Sequence, residues 1–208
     1  MARLVPIVLI ALVLAGFGFG VFKWWEYQRY QARTENINAV LKMGAKLQYE
    51  KNQPANPVIE VNLAGSFQLT RTGLEALTRL DSVRELNLSG TNITDGDLEL
   101  LKSLPRLEAL YLGTTKVGDP GVSHLAALTG LKELSLGDTK VTDAGLAHLR
   151  GLTKLTGLYV NTTAITDTGL RHLHGLTALE HLYLNSTGVT DAGLDELRRA
   201  LPKLEVHR

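Results

Sequence analysis

Apolar residues return along most of this chain on a schedule of 24 or 25 positions. Six units begin at Val58, Val83, Leu107, Leu131, Leu155 and Leu179, and a stub follows at Leu204. The run from Leu131 to Lys154, LKELSLGDTKVTDAGLAHLRGLTK, shows the pattern in full. Two apolar columns alternate with polar residues: Val61, Leu86, Leu110, Leu134, Leu158 and Leu182, then Leu63, Leu88, Leu112, Leu136, Val160 and Leu184. That alternation puts them on one face of a short strand. Further columns return at a spacing of three: Leu98, Leu101 and Leu104; Val122, Leu125 and Leu128; Leu146, Leu149 and Leu152; Leu170, Leu173 and Leu176. This spacing fits one apolar stripe on a short α or 3₁₀ segment. Each unit therefore predicts strand, turn, helical segment, turn. No unit can bury its leucines alone, so stacking is obligatory. The expected fold is a right-handed α/β solenoid. Its strands should run parallel near residues 58–63, 83–88, 107–112, 131–136, 155–160 and 179–184.

Polar columns sharpen the turns. Asp95, Asp119, Asp143, Asp167 and Asp191 stand before the helical segments. They are expected as structural caps, accepting orphan N–H groups and favouring the helix dipole. Pro120 after Asp119 suits Asp119 as the N-cap residue. Gly121, Gly145, Gly169 and Gly193 follow, with Asp97 in the one unit that lacks the glycine. They read as room for close packing between turns, with a backbone requirement the alternative. Thr91, Thr115, Thr139, Thr163 and Thr187 form a further column. Their hydroxyls are expected to bond the backbone of the neighbouring turn.

The ends depart from the pattern, as caps of a solenoid should. In the first unit Arg71 replaces the column Asp, and Ser66 or Phe67 replaces the Thr. The last has an extra residue in LRRAL, and Pro202 closes its helix. Upstream, Ile37, Val40, Leu41, Gly44 and Leu47 lie at helical spacing. They predict a helix over the exposed end of the core, broken by the prolines of EKNQPANP.

The N-terminus changes the picture more than the overall composition does. Leu4 to Phe22 is 19 residues without a charge, close to the roughly 20 a membrane-spanning helix needs. Trp24, Trp25, Tyr27 and Tyr30 follow as an interfacial belt would. The alternative is a cleaved signal peptide, with Val13 and Ala15 before the cut and a secreted product. Arg3 on a short N-tail favours an extracytoplasmic repeat domain, whereas Lys23, Arg29, Arg33 and Lys42 pull the other way. The expected division is 1–23 signal-anchor, 24–57 juxtamembrane segment and N-terminal cap helix, and 58–208 repeat domain. A net charge of +1 gives no case for nucleic acid. The absence of cysteine excludes disulfides and thiolate chemistry.

The repeat resembles the leucine-rich repeat superfamily, in the subtype TDxGLxHLxxLxxL. It stands here as TDAGLAHLRGLTKL from Thr142 and TDTGLRHLHGLTAL from Thr166. With INAVLKMGAKLQYEKNQPANPVIEVNLAGS before the repeats and RRALPKLEV after them, it is most similar to membrane-anchored or secreted repeat proteins of planctomycete-type bacteria. The resemblance implies a curved solenoid, a parallel sheet on its concave side and short helices on its convex side. It also implies protein binding. Similar repeats occur in F-box adaptors of ubiquitin ligases, but no segment here resembles an F-box.

Strand positions between the leucines should face the concave surface. Asn62, Asn87, Tyr111, Ser135, Tyr159 and Tyr183 form one such column. Glu60, Glu85, Glu133 and His181 flank it, as do Arg84, Glu108, Lys132 and Glu180. Tyrosines on one polar face fit a binding stripe, since aromatics are enriched at hot spots. His124, His148 and His172 share a helical column. Adjacent repeats hold them too far apart for one tetrahedral metal centre. The Asp column lacks the clustered ligands of a calcium loop. No phosphate loop, nucleophile elbow or metalloprotease helix is present. Neither catalysis, cofactor nor metal is therefore expected. The expected function is a membrane-anchored module binding a protein or envelope polymer. The alternatives are a structural envelope component and an adaptor subunit.

Overall fold

The computed structural model describes residues 17–51 and 57–208, with side chains from Trp24 onward. The expected membrane segment, Leu4 to Phe22, and the alternative cleavage residues Val13 and Ala15 lie outside the described side chains. Among the described residues no helix is long and apolar enough to cross a membrane.

One helix, α1 (Phe17–Lys42), leads into a single eight-stranded sheet in simple sequence order. Its strands are β1 (Lys46–Tyr49), β2 (Val58–Asn62), β3 (Glu85–Asn87), β4 (Ala109–Tyr111), β5 (Glu133–Ser135), β6 (Gly157–Tyr159), β7 (His181–Tyr183) and β8 (Glu205–His207). From β2 to β8 every neighbouring pair is parallel. The crossovers are α2 (Arg71–Leu77), a 3₁₀ helix (Asp95–Ser103), α3 (Asp119–Leu125), α4 (Asp143–Ala147), α5 (Asp167–Leu170) with a 3₁₀ turn, and α6 (Asp191–Ala200). The architecture is the expected α/β leucine-rich repeat solenoid, with the parallel sheet on its concave side. Leu86, Leu110, Leu134, Leu158, Leu182 and Val206 are register partners in turn. The leucine columns form one continuous buried cluster from Val40 to Leu204. Stacking is what buries them, because each unit presents the same apolar stripe to its neighbours.

The N-terminal cap departs from expectation. Val40 and Met43 are buried under the first repeat, but Leu41 is exposed. Gly44, at φ 83°, ends the helix in the left-handed conformation that a glycine adopts without strain. Leu47 therefore lies in β1 rather than on a helix. β1 runs antiparallel to β2, and the N–H of Glu50 donates to Pro57 O at 2.9 Å across the hairpin. An edge strand and a helix end together close the solenoid at this side.

A turn the sequence did not reveal follows each strand from β2 to β7. Gly65, Gly90, Thr114, Asp138, Thr162 and Ser186 occupy equivalent positions, all at positive φ. For the four residues with a Cβ this conformation costs about 1–3 kcal/mol each. Stacking enforces it: the N–H of Thr114, Asp138 and Thr162 donates to the carbonyls of Gly137, Asn161 and Asn185 in the next repeat.

Candidate functional site

Two faces hold the chemistry-bearing columns. On the ridge where the helices start, the Asp residues are not N-caps. The N-cap residues are Thr94, Gly118, Thr142, Thr166 and Thr190, and each Asp is the first helical residue. The carboxylates reach across to the next repeat. Asp119 accepts from Thr142 N at 2.8 Å and Thr142 Oγ1 at 2.6 Å. Asp143 does the same for Thr166 at 2.8 and 2.6 Å, and Asp167 for Thr190. Asp95 accepts from Gly118 N at 2.8 Å, where no hydroxyl is available. Asp191, in the last repeat, pairs with Arg208. The reason is geometric: an N1 side chain points back past its own helix start, toward the strand-like Thr segment of the neighbour. The two bonds from Thr190, its hydroxyl first, hold the Asp167 carboxyl below the usual range. With each carboxylate committed to one neighbour, the column does not converge on a calcium ion.

The glycine column answers the Asp column. A Cβ at Gly145 would lie 2.4 Å from Asp119 Oδ1, and one at Gly169 2.3 Å from Asp143 Oδ1. Neither glycine has positive φ. The requirement is therefore room for a neighbour's carboxylate, the packing reading. The Thr91 column bonds within its own repeat rather than to the neighbouring turn. Each hydroxyl donates to the carbonyl three residues earlier, as Thr115 does to Leu112 O at 2.6 Å. That carbonyl sits at the strand exit of the same repeat. In the first repeat Ser66, not Phe67, takes this position and instead donates to Met43 O at 2.5 Å. That bond ties the repeat to the cap.

The concave strand face carries the varied residues. Asn62, Asn87, Tyr111, Ser135, Tyr159 and Tyr183 are all half-buried register partners in one column, which His207 extends. Asn62 and Asn87 are partly engaged: their Oδ1 atoms accept from Ala64 N and Ser89 N at 3.0 Å, shaping the strand exit. Tyr159 and Tyr183 stack at 4.4 Å and 10° between ring planes. Tyr183 stacks in turn on His207 at 4.1 Å and 11°. The result is a ladder of parallel rings at the C-terminal half of the face.

The N-terminal half is acidic. Glu60 and Glu85 are direct cross-strand partners. Burial, then the Glu60 charge, pushes the Glu85 carboxyl up. Burial first, then the Glu133 charge, pushes the Tyr159 phenol up. Gly157 makes room for the Glu133 carboxylate, since a Cβ there would meet its Oε2 at 2.1 Å. Glu108 pairs with Lys132 at 2.7 Å, which holds its carboxyl down. His172 of the helical column sits beside Arg150, its Nδ1 at 2.5 Å from a guanidinium nitrogen. Burial and that charge push its pKa down.

His181 meets Glu205 and His207 from β8, a combination the sequence reading did not make. The signal was available, because the stub at Leu204 continues both strand columns by one repeat.

A leucine-rich repeat family model matches residues 80–102. Two solved structures share the fold. An internalin C2 from Listeria monocytogenes is 22% identical at a TM-score of 0.53, over 72% of this chain and 70% of that one. A leucine-rich repeat protein from Leptospira interrogans is 22% identical at 0.56, over 72% of this chain and 37% of that one. Another Listeria monocytogenes internalin is 23% identical, at a TM-score of 0.47 over 64% of this chain, which spans 43% of its length. No curated protein matches the chain. The family model spans about one repeat of this chain, and the two structures share its fold.

Proposed function

We propose that this protein is a non-catalytic interaction module whose concave strand face takes a protein or envelope-polymer surface. Leucine-rich repeat proteins generally act as protein-interaction modules. The observation that carries the reading here is the ring ladder of Tyr159, Tyr183 and His207 on a half-exposed strand face. Stacking presets the rings, so a partner that covers them loses little rotamer freedom. The acidic half, with Glu60, Glu85 and Glu133, suits basic side chains on the same partner. We further propose that residues 4–22 anchor the chain in a membrane with the repeats outside the cytoplasm. The support is the uncharged run and the exposure of Trp24, Trp25, Tyr27 and Tyr30 on α1. The TDxGLxHL subtype, with its likeness to planctomycete-type proteins, belongs to the same proposal.

Crosslinking and pull-down from native membranes test it. One reproducible partner should be recovered. Tyr111→Ala, Tyr159→Ala and Tyr183→Ala should each weaken binding by more than about 1 kcal/mol. Replacing His124, His148 and His172 together with Ala should leave it intact. Recovery of other copies of this chain alone would favour a structural envelope component. Loss of the partner in the histidine variant, with the tyrosine variants intact, would move the interface to the helical side. The anchor is tested by a carbonate wash, which should leave the full-length chain on membranes.

A further inference from the structure

At the C-terminal end of the concave face, two neighbouring strands converge on three metal-ligating side chains. His181 of β7 is the register partner of Glu205 of β8, and Tyr183 that of His207. Glu205 and His207 are alternate residues of one strand and so share its face with His181. One ligand atom from each of the three lies within 4.8 Å of those of the other two. Nδ1 of His181 is 3.4 Å from Oε2 of Glu205. A second observation is independent of that proximity. Nδ1 of His181 and Nε2 of His207 are shut off from solvent and have no hydrogen-bond partner. Buried polar atoms are normally satisfied, and an orphaned pair on two adjacent imidazoles asks for a shared partner.

The surroundings orient the His207 ring and fix its strand. His207 lies flat on Tyr183, which lies flat on Tyr159. The N–H of Leu184 donates to His207 O at 3.0 Å, fixing β8 in the ladder. Beyond it, Arg208 donates to Val189 O at 2.8 Å and pairs with Asp191. Before it, the N–H of Glu205 donates to Glu180 O at 2.7 Å, so β8 is tied on both sides of His207.

We propose that His181, Glu205 and His207 form a binding site for one borderline first-row dication of the Zn²⁺ class. Two imidazoles and a carboxylate are a donor set that Zn²⁺ accepts, with a fourth place left for water or a further ligand. With bonds of about 2.1 Å, tetrahedral ligand atoms lie about 3.4 Å apart, and His181 and Glu205 already have that spacing. His207 completes the set by a small movement of its side chain. Hard cations such as Ca²⁺ and Mg²⁺ favour all-oxygen sites and are excluded by the imidazoles. The bound ion would clamp β8 to β7, so it would stabilise the last repeat. The site stands independently of the partner reading, although it shares the face with Tyr183.

The test is a Zn²⁺ titration of the full-length chain carrying no polyhistidine tag, followed by calorimetry and thermal melting. One Zn²⁺ per chain should bind saturably, and the melting temperature should rise with Zn²⁺ concentration. Co²⁺ should give the visible bands of a four-coordinate site. His181→Ala and His207→Ala should each lower Zn²⁺ affinity at least tenfold. Glu205→Gln, which keeps the side chain's size, should do the same without a change in circular dichroism. The triple replacement of His124, His148 and His172 with Ala should keep the site, and Mg²⁺ should not compete. No saturable Zn²⁺ binding by the unaltered chain, undiminished binding in His181→Ala and Glu205→Gln, or loss only in the triple variant would each overturn the assignment.

Discussion

At the internal junctions Thr142 and Thr166 each donate two hydrogen bonds, from N–H and hydroxyl, to the carboxylate of the repeat before. At the first junction Thr94 donates the same two, but to Asp97 of its own repeat, at 3.0 and 2.7 Å. The difference follows from Arg71, which stands where the preceding repeat would carry its Asp. Without that carboxylate, the glycine position has room for a side chain. Asp97 fills it, satisfies Thr94 and lies 3.7 Å from the Arg71 guanidinium. The constant at these junctions is the pair of donors on the Thr, N–H and hydroxyl, both given to one carboxylate. The acceptor can come from either side of the junction, and its source decides whether a glycine is required. Two departures from the repeat pattern are thus one coupled change.

The largest effect should come from forcing a Cβ into an internal junction. Gly145→Ala places a methyl group 2.4 Å from Asp119 Oδ1 and 2.8 Å from Val141 Cγ1. Overpacking and the two displaced Thr142 bonds together should cost about 2–3 kcal/mol in urea unfolding. Asp119→Ala on the same background should cost clearly less than the sum of the two single changes, because the two share one space. Strict additivity would show that Gly145 is not there for the carboxylate.

A smaller effect tests the coupled change. Asp97→Gly removes the acceptor of both Thr94 bonds and should cost about 1 kcal/mol. Adding Arg71→Asp rebuilds the internal arrangement and should recover most of the loss. Arg71→Asp alone should destabilise, since it sets two carboxylates side by side. A double variant no better than Asp97→Gly would separate the two positions. The ion pair itself contributes little, because its Arg71 side chain is largely exposed.

The smallest effect separates the ridge from the concave face by pH. Asp167 titrates below its ordinary value, so it supports the fold above the usual carboxylate range. That support is lost as pH falls through its lowered folded value. Glu85 is shifted the other way by burial and Glu60. Its charge therefore opposes folding once pH rises past its unfolded value near about 4. Glu85→Gln should raise the melting temperature slightly at pH 7 and have no such effect below about pH 4. A gain that persists in acid would show that charge is not its cause.

The sequence by itself determined the repeat, the strand and helix columns, the leucines of the core and the residues lining the strand face. These are properties of period and alternation, which a chain displays without its partners. Tertiary structure decided what the columns do to one another. The Asp column looks like a set of N-caps because capping is local. Only stacking shows that the carboxylates of Asp119, Asp143 and Asp167 each serve a Thr 23 residues later. The left-handed turns at Thr114, Asp138 and Thr162 carry no glycine to announce them, since bonds to the next repeat hold them. β1 was hidden because Leu47 continues a helical spacing that Gly44 interrupts. His181, Glu205 and His207 are scattered in sequence and meet because a parallel ladder sets each strand beside its counterpart one period away. A period states which residues are equivalent. Which of them touch, and through which atoms, depends on the offset between stacked turns, and that is set by packing.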